Sequence, residues 1–400
     1  MKTKKTGCLR SLLISLTGLV LLCLAAAGLV AWDNARLPNQ SEFTDKLSRE
    51  EKVRIIEAQH LRQTFGDEIL PGWGQAAIPV ILYNEEYAFL TGVNTPPPTG
   101  WKTVRSGEQR GTAWEVVRGD DLQGMPYYRQ ALLSGITPQA FTVKIGASYA
   151  ATLTTFEYFP ISMHSQLKEN LPEFIKAIFP YRVYIDLLVS GSDQFETLIM
   201  HEAAHAYQGI MAPDRLVAGE QANHDLENVY PWDDSSLRED WQAELDLLAL
   251  ALHADTDKEI RQLAQEFLVV RQSRRQSAGL SADLIEFERH REWVEGIGRY
   301  AELSVYRLGQ ASSGYVPAEE ILDDPRFHHY KKFNQRWTHE IDQMKRMASD
   351  GDESRFYYTG MTQAVLLDRL DPDWKGRLFE QGVWLEDLLS EALSSAGEIN

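Results

Sequence analysis

Cysteine is almost missing from this chain of 400 residues: Cys8 and Cys23 lie near the N-terminus and none follows. No disulfide can staple the body, which must rely on its core, and any metal bound there must be held by His, Asp or Glu. Positive charge is also scarce, with 40 Lys plus Arg against 58 Asp plus Glu and a net charge of -18. The first 33 residues carry +3, from Lys2, Lys4, Lys5 and Arg10 against Asp33, which leaves -21 for the remainder. A surface that negative repels phosphate backbones and anionic headgroups, so no nucleic-acid partner is expected. Internal repeats and low-complexity tracts are absent.

Long apolar runs are lacking too, with one exception. Ser11 to Trp32 holds no charge and follows the basic stretch Met1–Arg10. A run of about 20 apolar residues can cross a hydrocarbon core. Residues 1–33 therefore read as a signal anchor or transmembrane helix, with a cleavable signal peptide as the alternative, since Ala25-Ala26-Ala27 offers a processing site. Leu21-Leu22 before Cys23 argues against a lipoprotein. Positive charges stay in the cytoplasm, so the residues after Trp32 are expected outside it: at the cell membrane as a single-pass protein, or secreted if the segment is cut.

The rest reads as α+β, a mixed or antiparallel sheet followed by a mostly helical region. Residues 34–69 suggest a linker and then a helix from about Glu42 to Phe65, a stalk or the first helix of the body. Residues 70–400 suggest the catalytic domain, sheet-rich over 70–192 and helical over 193–400. Short apolar or alternating runs at Ile78–Tyr83, Trp114–Val117 and Phe141–Ile145 predict strands, with Tyr149–Phe159 as an edge strand. A helix is expected from Pro160 to Phe179 and a strand over Tyr181–Val189. Helices follow at about 194–209, 236–254, 256–278, 281–308, 326–348, 355–370 and 384–395. Asp193, with Glu196 three residues on, suggests a capping box.

The chemistry lies in His201-Glu202-Ala203-Ala204-His205, within a stretch free of proline and glycine. On a helix His201 and His205 stand one turn apart on one face and can bind a single metal ion. Glu202 lies beside them, placed to take a proton from a metal-activated water. Leu198, Ile199, Met200, Ala203, Ala204 and Ala206 make the helix apolar nearly all round, where idle histidines and a carboxylate would be costly to bury. Catalytic zinc commonly takes a third protein ligand. Two glutamates compete for that role: Glu244, ahead of an apolar stretch, and Glu295, ahead of Gly296.

His-Glu-Ala-Ala-His followed by Trp293-Val-Glu-Gly-Ile-Gly-Arg-Tyr-Ala-Glu302 resembles the gluzincin metallopeptidases. In them a helix with Trp, Glu-Gly and a small residue supplies the third zinc ligand, which the resemblance assigns here to Glu295. This chain differs in the long insertion after His205 and in Gly298, where alanine is common. The same family commonly uses a Tyr or His as oxyanion donor, for which Tyr358 is the candidate, with Tyr300 and His224 behind it. Residues 141–159 take the place of the gluzincin substrate-binding sheet. Gly296 and Gly298 also have a physical meaning, since missing side chains let helices approach and bring Glu295 near the ion.

His328-His329 are adjacent and read as surface residues, Asp350–Glu353 as a solvated turn, and 212–235 as a surface loop next to the active helix. The expected function is zinc-dependent hydrolysis of peptide or protein substrates. A catalytically silent membrane-anchored binding or scaffold protein, and a zinc amidase acting on cell-wall peptide, stand as alternatives.

Overall fold

The uncharged run at the N-terminus is helical. Helix α1 (Lys5–Asn34) contains a 20-residue window, Ser15–Asn34, of mean hydropathy 2.1 and with none of it buried. It is long and apolar enough to be a membrane anchor or a signal sequence. The computed structural model describes residues 5–133, 142–188, 191–232 and 234–395. Met1–Lys4, Phe141, Val189, Ser190 and Asp233, which entered the sequence reading, lie outside the described residues. The chain forms two units, one of residues 1–44 and 155–190, the other of 45–154 and 191–400.

In the large unit, α2 (Arg49–Ile69) starts where the Ser48 hydroxyl accepts from the Glu51 amide, 3.1 Å away. It is not a stalk. Ile55, Glu57, Ala58 and Leu61 are fully buried, and the helix packs on two later helices. Strands follow as β1 (Val80–Tyr83), β2 (Tyr87–Thr91), β3 (Trp101–Thr103), β4 (Gln109–Arg110), β5 (Glu115–Val116), β6 (Tyr128–Ala131), β7 (Val143–Ile145) and β8 (Ser148–Thr154). Their order in the sheet is β4-β3-β7-β8-β1-β2-β6-β5. Only β1 and β8 pair in parallel, Val80 opposite Ala151, and the other pairs are antiparallel. The segment expected to be an edge strand is thus β8, held between β7 and β1. Alternation gives the sheet one face with Ile81, Tyr83, Leu90, Val143, Ile145 and Ala150 in a shared core.

In the small unit, α3 (Tyr158–Asn170) ends before Pro172, and the short α4 (Glu173–Lys176) follows. Tyr181–Leu188, expected to be a strand, is helix α5. Among its described side chains Tyr181 and Ile185, four apart, are the buried ones, a helical spacing that a short apolar run cannot distinguish from a strand.

The helical part of the large unit begins with α6 (Ser192–Met211). The expected capping box does not form: Gly191 is the N-cap, and the Asp193 carboxylate accepts instead from the amides of His328 and Tyr330, at 2.7 and 3.1 Å. The Tyr330 hydroxyl lies 2.6 Å from Glu57 and 2.8 Å from Glu196. A phenol has one proton for two buried carboxyls, and burial beside Glu57 pushes Glu196 well above the ordinary carboxyl range.

After α6 come α7 (Pro213–Leu226), α8 (Ser235–His253), α9 (Asp257–Ser277) and α10 (Ala282–Arg291). A π turn at Glu292–Gly296 joins α10 to α11 (Ile297–Ala311), and α12 (Phe333–Met344), α13 (Ser354–Leu370) and α14 (Leu385–Ser395) complete the chain. The architecture is α+β. The expected loop at 212–235 is largely α7, with Pro213 in its first turn, where a missing amide proton costs nothing.

Candidate metal centre

Helix α6 carries His201 and His205 on one face, their rings edge to face with centroids 4.7 Å apart. It lies close to the sheet because Gly209 has no side chain, and a Cβ there would come 2.5 Å from the Tyr149 ring of β8. A second helix meets it from α10 through the π turn into α11. A Cβ on Gly296 would lie 2.5 Å from the Gly360 Cα of α13, and one on Gly298 would lie 2.8 Å from His201 Nε2. Both glycines therefore permit close approach, as the sequence suggested.

The result is a convergence of three donors. Glu295 Oε2 lies 3.4 Å from His201 Nε2 and 3.4 Å from His205 Nε2. All three ligand atoms fall within 4.8 Å of one another. Ligands at zinc–nitrogen and zinc–oxygen distances in a tetrahedron stand about 3.3 Å apart, which the two glutamate–histidine spacings match.

Neighbouring groups fix how each donor points. Gln208 Nε2 donates to the backbone oxygens of Trp293 and Val294, at 2.5 and 3.4 Å, so its Oε1 is the acceptor that faces His205 Nδ1 at 2.9 Å. Nδ1 of His205 must then carry the proton, which leaves the Nε2 lone pair for a metal. Glu302 Oε2 faces His201 Nδ1 from 3.5 Å and is itself held by Arg299 at 2.7 Å. Arg291 Nη2 donates to Glu295 Oε1 at 2.6 Å, so Oε2 remains for the ion.

The three donors open into a cavity of about 290 Å³ lined also by Glu202, Glu220, Glu227, Arg291, Glu353 and Tyr357. Five carboxylates, counting Glu295, thus face one guanidinium. Burial lowers the basicity of His201, but Glu295 and Glu302 outweigh it and push the imidazole up to about 10. His205 is raised as well, burial again being outweighed by Glu295. The surroundings thus favour positive charge where the imidazoles meet. Burial also raises Glu202, against the opposing pull of His205 and His201, and raises Glu353 to about 7 despite Arg291.

Comparison with models of protein families, with curated proteins and with solved structures found no match. The reading of the site therefore rests on its geometry.

Other residues singled out in the sequence lie elsewhere. Glu244 is fully buried, with its two oxygens taken by Arg271 and Arg274, each at 2.8 Å. Tyr358 does not line the cavity and is surrounded by Arg299, Glu340 and Arg336. Its neighbour Tyr357 takes that place, stacked on His201 at 6.0 Å and within hydrogen-bonding reach of Glu295. Tyr300 donates to Asp368 at 2.7 Å, and His224 is exposed on α7. His329 is exposed, whereas His328 is half-buried with Nδ1 3.4 Å from Asp193. The acidic turn is not wholly solvated, because Glu353 reaches Arg291 Nε at 2.7 Å inside the cavity.

Sequence reasoning missed Tyr357, Glu220, Arg291, Gln208 and Glu302. Two of these left a trace: Arg291 stands four residues before Glu295 and Gln208 three after His205, both same-face helical spacings.

Proposed function

We propose that this chain is a zinc-dependent peptidase of the gluzincin type, tethered by α1 and acting outside the cytoplasm. The observation that carries the reading is the convergence of Glu295 Oε2 on both imidazole Nε2 atoms, 3.4 Å from each, in a cavity that Glu202 also lines. His201, His205 and Glu295 would hold the ion. Zinc, when bound, supplies Lewis-acid polarisation of the scissile carbonyl and makes water more acidic.

The chain's own groups do the rest. Glu202, half-buried and made more basic by its surroundings, takes the proton of the attacking water and hands it to the departing amine. Burial next to Glu295 holds the Tyr357 phenol well above its usual range, so it keeps its proton and donates to the oxygen that becomes negative. Arg291, Gln208 and Glu302 keep the donor atoms aimed.

The test is Glu202→Gln, assayed on a peptide library and by elemental analysis. Cleavage should fall by about 10²–10⁴-fold or more with zinc retained. Undiminished cleavage would sink the proposal. A wild-type protein that binds zinc, melts lower without it and cuts nothing would favour the silent scaffold.

A further inference from the structure

The small unit leaves several apolar side chains uncovered. Phe174 is 79% exposed, Val183 61%, Ile178 47% and Tyr184 41%. Two of them sit on α5 and two on α4 and the turn after it, while Tyr181 and Ile185 of the same α5 are buried. The outward side of α5 also carries the charged Arg182 and Asp186, so the uncovered apolar patch consists of Val183 and Tyr184 together with Phe174 and Ile178.

Their position is set by the end of α1. Asn34 is the last residue of the apolar window, and its Nδ2 donates to the backbone oxygens of Ala177 and Phe179, at 3.1 and 2.9 Å. One residue earlier, both oxygens of Asp33 accept from Arg182 Nε at 2.9 Å. The turn between α4 and α5 is therefore tied to the point where α1 would leave the hydrocarbon. Trp32, half exposed, has the Arg36 guanidinium 3.4 Å over its ring at this same level, an aromatic–cation pair suited to headgroups. The cations beside the apolar residues are paired, Lys176 with Glu173 at 2.6 Å and Arg182 with Asp33 at 2.9 Å, so the patch attracts the bilayer through its apolar side chains and not through free charge.

We infer that α4 and α5 form an interfacial membrane-docking surface, in which Phe174, Ile178, Val183 and Tyr184 enter the headgroup–acyl boundary of the bilayer that α1 crosses. The occupant is the outer leaflet of that bilayer. This surface rests on the reading of α1 as a retained anchor, and it turns a single-helix tether into two-point attachment. An anchor alone leaves the small unit free to tilt, whereas an inserted apolar patch fixes its orientation to the membrane plane.

The experiment uses the full chain in phosphatidylcholine–phosphatidylglycerol vesicles, with Cys8→Ser and Cys23→Ser as background. Single environment-sensitive labels are attached through Phe174→Cys, Val183→Cys, Leu22→Cys within the apolar window, and Val269→Cys, an equally exposed apolar position on α9. Labels at 174 and 183 should be blue-shifted and lose most of their emission to lipids with a shallow nitroxide. The label at 22 should lose it to a deep nitroxide, and that at 269 only to aqueous iodide. Adding Ile178→Glu should return the label at 183 to iodide quenching.

If 174 and 183 behave like 269 while 22 stays in lipid, docking is overturned and the anchor stands. If 22 is aqueous too, both fall. Shielding of 174 and 183 from lipid nitroxide and iodide alike would mean a protein occupant, and also overturns the inference.

Discussion

Two of the buried clusters of charge in the large unit differ in one respect. In the first, Arg271, Arg274, Arg275 and Arg289 meet Glu244, Glu288, Glu292 and Glu386, four cations against four anions. Each carboxylate has an arginine partner at 3.2 Å or closer. In the second, five carboxylates line the cavity beside the two histidines, with Arg291 as the one arginine among its described lining residues. A cluster that neutralises itself is structural, since any further ion would meet charge of its own sign. In the second the histidines are driven to hold extra protons, and a metal ion would take the place of those protons. The comparison explains why Glu244 and Glu295, alike in sequence, differ in role: arginines claim both oxygens of one and only one oxygen of the other.

The sharpest way to break this contrast is to remove one carboxylate from each cluster. Glu295→Ala should abolish zinc binding, read by elemental analysis, and also destabilise the zinc-free protein, because Arg291 and the two imidazoles lose the carboxylate between them. Glu244→Ala should keep the zinc but strand Arg271 and Arg274, costing about 3–5 kcal/mol in denaturant unfolding. The opposite pattern would reverse the two assignments.

Acid should act on the first cluster next. Burial alone would raise Glu386, but Arg271 and Arg275 outweigh it and hold the carboxyl at about 2. A carboxyl depressed in the folded state gives stability that is complete above its unfolded value and lost as pH falls through its folded one. Unfolding free energy of the zinc-free protein should drop between about pH 4.5 and 2, with roughly 3 kcal/mol assignable to this group, and Glu386→Gln should flatten that part of the curve.

A smaller effect is expected at Gly298. Its Cβ would sit 2.8 Å from both His201 Nε2 and His205 Cε1, so Gly298→Ala should turn the rings and weaken zinc binding about 10–100-fold in competition with a chelator. Gly314→Ala, at an open position with no positive φ, serves as the control for metal binding. The smallest difference separates two adjacent tyrosines. Tyr357→Phe should lower kcat about tenfold or more with KM little changed, while Tyr358→Phe leaves both near wild type. Equal effects would mean that the phenol over His201 is not the oxyanion donor.

These contrasts also mark what could be read from residue order. The His-Glu-Ala-Ala-His spacing and the Glu-Gly pair were legible because their chemistry is local to one helical turn. Choosing between Glu244 and Glu295 was not, because it depends on arginines that are remote in sequence from Glu244 and come from α9. Tyr358 was chosen over Tyr357 for a related reason. On a helix neighbouring residues point about 100° apart, and nothing in Phe-Tyr-Tyr-Thr-Gly tells which ring faces His201. The α+β order of sheet before helices was visible in pattern. The stalk was misread because Glu57 and Arg54 look exposed until Tyr330 and Asp324 arrive from more than 250 residues away.

The π turn at Glu292–Gly296 has one more consequence. Its backbone winds through fewer degrees per residue than an α-helix, so Glu292 and Glu295 are splayed further apart than three helical steps would set them. One points to Arg271 and Thr359, the other to His201 and His205. A single inserted residue thus acts as a phase shifter between scaffold and site. Deleting Val294 should restore ordinary winding, rotate the ligand off the imidazoles and leave a folded helix with no metal.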